Sequence, residues 1–221
     1  MNYLQTSKTI IAIMSALTLF SNAQAVETGS SHNLFILKQL SERSYFVGRA
    51  NLATRDGFSD TFFGYVDGNY RHTLTGPWSV EAGYRHVNLE LTSGWRQEYR
   101  PMFALNWRGK LGQNRFSNRN RLELRYYEGD AKDRIRYRNE SVWTSSQKFT
   151  ALQLAPFFEE EFFYDLTDKK LNTNWLTFGV SKHWKKGAKW KLGYRIQSQE
   201  FNDEWEHRHV LVTGFSFTSF K

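Results

Sequence analysis

Arginine alternates with apolar residues along several short segments of this 221-residue chain. In residues 118–143, Arg121, Glu123 and Arg125 alternate with the apolar residues Leu122 and Leu124. A period of two places the charged and the apolar side chains on opposite faces of an extended strand. A face of guanidinium groups can donate charge-assisted hydrogen bonds to carboxylates and phosphates, so the pattern predicts a surface that binds anions.

The same alternation predicts a larger set of eleven basic and five acidic side chains on one polar face of a sheet. The basic members are Arg85, Arg96, Arg100, Arg108, Arg121, Arg125, Arg134, Arg136, Arg138, Lys191 and Arg195, and the acidic members are Glu81, Glu98, Glu123, Glu159 and Glu161. A basic surplus around a pore lowers the barrier for anions. The alternative is an ion-pair network that fills a narrow barrel. The sequence leaves both interpretations open.

Catalytic and metal-binding interpretations of the polar residues are weaker. Glu159 and Glu161 share a face and could act as an acid and a base, or could neutralise arginines. A hydrolase site on the outer face of a barrel would need a serine or histidine, and His86 and His209 are partial matches without a motif. His207 and His209 supply at most two ligands, so we predict no metal and no cofactor.

Strands must position these side chains, and residues 118–143 show how. Gly129 and Asp130 form a pair suited to a two-residue hairpin turn. In that register Leu124 lies opposite Ile135, Leu122 opposite Tyr137, and Glu123 opposite Arg136. One face of this hairpin is then apolar and aromatic, and the other is densely charged.

Alternating segments of this kind recur along the chain, and ten of them follow residue 44. They are 45–54, 62–71, 78–88, 95–108, the two halves of 118–143, 150–164 (with a bulge or an unpaired N–H expected at Pro156), 172–184, 190–199 and 206–220. Each is close to the length of about 9–11 residues that a tilted membrane strand needs. We predict an all-β fold, an antiparallel up-and-down transmembrane β-barrel of about ten strands, or twelve if residues 33–40 also pair. A soluble periplasmic sandwich is the alternative.

Composition favours the barrel. Aromatic residues make up 17% of the chain, which suits girdles at two membrane interfaces. No segment has 18 consecutive apolar residues, so a membrane protein with this sequence must cross with strands. Cysteine is absent, so an exported chain has no disulfide framework, and barrel closure is another source of stability.

The N-terminus has the features of an export signal. An apolar run at 9–20 precedes the small-x-small triplet Ala23-Gln24-Ala25, which predicts a signal peptide at 1–25. Residues 26–43 then form a periplasmic lead-in or a short strand, and residues 44–221 form the barrel. The expected location is the bacterial outer membrane. The formal charge of +8 favours acidic partners, such as lipopolysaccharide and anionic solutes, rather than nucleic acid, which an exported protein does not meet.

Five stretches resemble an uncharacterised family of bacterial outer-membrane barrels that is known only as a domain of unknown function. They are NRNRLELRYYE, RIRYRNES, APFFEEEFF, KLGYRIQSQE and HVLVTGFSF. The resemblance covers roughly residues 44–220. It implies an outer-membrane barrel, with the membrane lipid and the barrel-assembly machinery as partners, and it supplies no substrate. The chain is also similar, more loosely, in length and basic pattern to small porins for acidic oligosaccharides, such as the oligogalacturonate channels.

The function predicted from the sequence is therefore a small channel or structural barrel whose basic lumen favours anionic solutes, and not an enzyme. The alternative is a membrane-embedded hydrolase that acts on lipid or lipopolysaccharide.

Overall fold

Eleven β-strands form a closed barrel in the computed structural model, which describes residues 27–56, 59–185, 187–201 and 203–219. The strands are β1 Glu27–Gln39, β2 Ser44–Arg55, β3 Asp60–Thr73, β4 Trp78–Leu91, β5 Gly94–Leu111, β6 Asn114–Tyr127, β7 Arg134–Thr144, β8 Ala155–Asp165, β9 Lys170–Lys185, β10 Ala188–Phe201 and β11 Glu204–Ser219. The predicted signal peptide (1–25) and the last two residues lie outside the described residues.

Neighbouring strands along the chain pair antiparallel, and the barrel closes where β1 pairs parallel with β11. The parallel seam follows from the odd number of strands in the described chain, since β1 and β11 then run in the same direction. β1 is the strand that ten alternating segments leave out. It pairs along most of its length with both β2 and β11, so it completes the wall of the barrel.

The predicted register of the β6–β7 hairpin is confirmed. Leu122 pairs with Tyr137, Glu123 with Arg136, and Leu124 with Ile135. The predicted two-residue turn is wrong, because this ladder stops at the pair formed by Arg125 and Arg134. These two cations face each other at the mouth of the barrel, and the loop 128–133 connects the strands beyond them.

β8 begins later than predicted, at Ala155 rather than near residue 150. Residues 149–154 instead form a tight loop that is closed by a bridge between Phe149 and Leu154. Pro156 pairs in regular register with Val180, and the register shift of β8 lies between Phe163 and Tyr164. Of the two alternatives expected at Pro156, the bulge does not occur, and the proline lies next to the first residue of the strand, where a missing N–H is tolerated.

The two faces of the wall differ sharply in chemistry. Most outward side chains are apolar or aromatic, and they include Val66, Phe103 and Phe178, which are 60%, 56% and 45% exposed. Charged residues dominate the interior, where Arg85 and Glu123 are 1% and 0% exposed. A few apolar side chains, such as Met102 and Phe163, pack between these charges. Alternation along each strand therefore produces a polar core and an apolar exterior. None of the described residues forms a helix that is long and apolar enough to cross a membrane.

A glycine at a close contact between two strands allows a test of this packing. A Cβ atom added at Gly179 on β9 would lie 2.2 Å from the backbone oxygen of Leu192 on β10. We expect Gly179→Ala to lower the free energy of unfolding by about 1–3 kcal/mol, because backbone atoms would have to move. A Cβ at Gly64 would meet its nearest atom at 3.6 Å, so Gly64→Ala is the control and should change little. Urea unfolding followed by tryptophan fluorescence measures both, and equal losses would contradict this packing.

Candidate functional site

All eleven basic residues predicted from the sequence line one cavity inside the barrel, with a volume of about 690 Å³. Of the five predicted acids, Glu159 and Glu161 also line it. Glu81, Glu98 and Glu123 lie deeper in the wall, at 4%, 1% and 0% exposure. The structure therefore brings the whole predicted set to one interior, and the carboxylates are covered by the guanidinium groups that they bind.

Glu81 on β4 is the centre of a first ion-pair network. Its carboxylate lies 2.7 Å from the terminal nitrogens of Arg49, Arg71 and Arg119, which come from three different strands. Asp67 on β3 extends the network, since it accepts hydrogen bonds from Arg49 and Arg85. Two carboxylates thus hold four arginines from β2, β3, β4 and β6.

Glu123 on β6 is the centre of a second network and is fully buried. Arg136 Nη2 lies 2.5 Å and Arg121 Nε 3.0 Å from its carboxylate oxygens. Arg138 and Arg100 approach the same carboxylate at 3.9 and 4.0 Å. One negative charge therefore faces four positive ones. The contact with Arg121 joins the charges without the angle of a hydrogen bond, so two nitrogens of Arg121 have no hydrogen-bond partner.

Further carboxylates extend these contacts around the barrel. Glu98 binds Arg100 and Arg125 through distances of 2.6 and 2.5 Å. Glu161 accepts a hydrogen bond from Arg138. Glu159 binds the Lys191 ammonium at 2.7 Å and the Arg195 guanidinium at 3.3 Å. These contacts occupy Glu159 and Glu161 as counter-ions, so neither is placed as a free acid or base.

Aromatic rings cover several guanidinium groups inside the barrel. Arg136 and Arg138 lie 4.9 and 4.6 Å from the centre of the Phe163 ring. Arg195 lies 4.7 Å from the Trp175 ring, and Arg85 lies 3.7 Å from Tyr65. The ring faces attract cations and fix the orientation of these long side chains. They add attraction without adding negative charge, so the interior remains electropositive.

The predicted residues differ in how fully they are neutralised. Arg134 lies at the rim, where it binds Asp165 and Asp168 at 3.1 and 2.8 Å. The Arg96 guanidinium lies 4.8 Å from the ring of Tyr127. The Arg108 guanidinium, by contrast, makes no hydrogen bond or ion pair with any described residue. Arg108 is therefore a cation on the cavity wall that is available to a solute.

The sequence-based set omitted several interior residues. Arg49, Arg71 and Arg119 line the cavity, and Asp67 and Glu140 belong to the same interior. The alternation already placed Arg49, Asp67 and Arg71 on the polar faces of β2 and β3. Arg119 lies two residues before Arg121, so the same period of two identifies it.

The histidines considered for a hydrolase do not form one. The ring of His86 packs on that of Tyr99, and His209 hydrogen-bonds to the hydroxyl of Tyr194. A chain of hydrogen bonds does link Ser30, His32 and Thr213 on the outer face, at distances of 2.9 and 2.8 Å. Ser30 is 0% exposed, so its hydroxyl is not open to a substrate. Within the described part of the chain, no three His, Cys, Asp or Glu side chains are grouped to hold a metal.

Comparison with known proteins identifies the family. A family model described as "Protein of unknown function (DUF2490)" matches residues 29–208. The chain belongs to this family. No curated protein matches it. Among solved structures, one titled as the NanC porin in a rhombohedral crystal form is similar, with 15% sequence identity and a TM-score of 0.48. That alignment covers 87% of this chain and 99% of the porin chain. The family model thus places this barrel in DUF2490 and assigns it no activity.

Because the second network depends on one buried carboxylate, we expect its removal to lower the free energy of unfolding strongly. Glu123→Gln leaves four guanidinium groups without their shared counter-ion, so we expect a loss of roughly 3–5 kcal/mol in the free energy of unfolding. Glu90→Gln is the control, because Glu90 is 30% exposed and forms its ion pair with Arg55 at the barrel mouth. It should cost at most about 1 kcal/mol. Chemical unfolding measures both, and a Glu123→Gln barrel as stable as the control would contradict the network.

Proposed function

We propose that the DUF2490 barrel spans the bacterial outer membrane and provides a passage or binding cavity for anionic solutes. One observation supports it above all, the imbalance of charge on the cavity wall. Among the described residues that line the cavity, the basic side chains are Arg49, Arg71, Arg85, Arg96, Arg100, Arg108, Arg119, Arg121, Arg125, Lys132, Arg134, Arg136, Arg138, Lys191, Arg195 and Arg208, and the acidic ones are Glu140, Glu159 and Glu161.

The outer wall supports insertion in a membrane. Exposed apolar side chains encircle the barrel, and a soluble monomer rarely exposes such a surface. Outward aromatic residues also lie near the two ends of the strands. Trp78 begins β4, while Trp107, near the end of β5, packs against Phe116 near the start of β6. Trp95 and Trp205 lie at the opposite end of the barrel. Two such girdles are typical of barrels in the outer membrane.

The cavity is large enough for a small solute. Its volume of about 690 Å³ falls within the range of small-molecule pockets, which is about 300–1,000 Å³. The part of the wall formed by β1 and by residues 210–216 of β11 is lined by uncharged residues, including Asn33, Val212 and Gly214. A solute would therefore move between a wall of cations and a neutral wall. The cations lower the barrier for carboxylate or phosphate groups and raise it for cations.

Export should leave a defined N-terminus. We infer that residues 1–25 are a cleaved signal peptide, that residues 26–43 lead into the barrel through β1, and that the barrel is completed by residues 44–221. N-terminal sequencing of the protein from outer-membrane fractions should then begin at Val26. Retention of Met1, or recovery in the soluble fraction, would contradict the export proposal.

Ion selectivity tests the proposed passage. In planar bilayers under a potassium chloride gradient, we expect a reversal potential that reports preference for chloride. Arg108→Glu should lower the chloride-to-potassium permeability ratio several-fold, because it reverses the sign of a charge on the cavity wall that forms no ion pair with the described residues. Lys38→Glu is the matched control, since Lys38 is exposed near the end of β1 with the outward parity. It should leave the ratio unchanged.

Conductance that prefers potassium, or an identical response of the two variants, would contradict the proposal. Each variant must first show the heat-modifiable migration of a folded barrel, so that loss of folding is not mistaken for loss of selectivity.

A further inference from the structure

Three neighbouring strands carry polar side chains in the middle of the outer wall. Glu160 is the sixth of the eleven residues of β8, and Asn139 is the sixth of the eleven residues of β7. Asn120 lies at the middle of β6. They have the outward parity, since they alternate with the buried residues Glu161 and Arg121. In a membrane, the middle of the wall meets the hydrocarbon of the acyl chains, where polar groups have no water to bind.

On other strands of the barrel, the outward residue at mid-strand is apolar. At mid-strand, the outward residues are Val66 on β3, Phe103 on β5, Phe178 on β9 and Leu211 on β11, and all four are exposed. The polar residues at mid-strand on β6, β7 and β8 therefore differ from these four apolar positions. A second polar chain lies at the β1–β11 seam, where His32 hydrogen-bonds to both Ser30 and Thr213, and no carboxylate belongs to it.

Hydrogen bonds join most of this surface, which we call the amide belt. It consists of Asn118, Asn120, Asn139, Ser141, Glu160 and Asn174. Asn118 Nδ2 donates to Ser141 Oγ at 2.9 Å, and Asn120 Nδ2 donates to Asn118 Oδ1 at 2.6 Å. Asn139 Nδ2 donates to Asn120 Oδ1 at 2.8 Å. Each amide of Asn120 and Asn139 therefore keeps a second N–H that none of the described residues accepts.

Glu160 is the least satisfied member of the belt. Its carboxylate has one hydrogen bond with the described residues, from Asn174 Nδ2 at 3.4 Å. A carboxylate is an acceptor only, with about four lone-pair sites. A charged group at this depth is costly and normally faces another protein surface or a water-filled cavity. The belt thus offers unused donors on β6 and β7 and unused acceptors on β8.

We propose that the amide belt is the interface between two copies of the DUF2490 barrel. This inference rests on the proposed insertion in the membrane. Two copies inserted in the same direction are related by a twofold axis along the membrane normal, and such an interface must be complementary to itself. An axis near β7 places β8 of one copy opposite β6 of the other. The Glu160 carboxylate of each copy then meets the asparagine amides on β6 of its partner, so acceptors face donors on both sides.

The chain has no cysteine, so single-cysteine variants report this contact directly. In lipid vesicles under mild oxidation, Asn139→Cys should give a disulfide-linked species of twice the mass, because Asn139 lies on the strand nearest the axis. Leu34→Cys is the control. Leu34 is an exposed outward residue of β1, on the far side of the barrel, and should stay monomeric.

A second variant removes the belt without removing the strand. Asn139→Leu combined with Glu160→Leu should keep the folded, heat-modifiable barrel and shift its mass in detergent from dimer to monomer. An inserted wild-type barrel that is monomeric, or that cross-links equally from Leu34→Cys and Asn139→Cys, would overturn the dimer. A barrel that does not enter vesicles would instead contradict the proposed function, so the two failures are distinguishable.

Discussion

A shortage of negative charge inside a closed wall determines most of this structure. Glu81 and Glu123 each serve several guanidinium groups, and the arginines that share them come from strands that are distant in the sequence. Because each carboxylate is shared, the position of one arginine depends on the positions of the others. Buried charges of this kind are tolerated only when they remain paired, so the networks fix how the strands can lie relative to one another.

Closure of the barrel makes this interior chemistry compatible with folding. β1 pairs with β2 on one side and with β11 on the other, which leaves no unpaired strand edge among the described strands. Most outward side chains then form an apolar surface, and the inward ones share a single enclosed volume. The rings of Phe163 and Trp175 cover guanidinium groups in that volume, and so they limit the number of carboxylates needed to hold the arginines. The surplus charge that remains is the basis of the proposed preference for anions.

The alternation of polar and apolar residues predicted which residues face the interior. It did not predict features that depend on contacts between distant parts of the chain. The register of the β6–β7 hairpin follows from a two-residue period, which fixes the facing of every residue once one pair is set. The late start of β8 does not follow, because the apolar residues Leu152 and Leu154 fit a strand equally well. The bridge between Phe149 and Leu154 and the position of Pro156 decide that they form a loop. β1 is less evident in the sequence because one of its two pairing partners, β11, lies at the other end of the described chain.

The sequence by itself determined which side chains share a face, since parity along a strand is a covalent property of the chain. It thereby identified the basic set that lines the interior and the apolar residues of the outer wall. Only the tertiary structure decided how many strands close the barrel, which arginines share Glu81 or Glu123, and that Arg108 forms no ion pair with the described residues. It also brought Asn120, Asn139 and Glu160 together on the outer wall. These features depend on the register and closure of strands far apart in the chain, and distances across a sheet are not encoded in any local pattern.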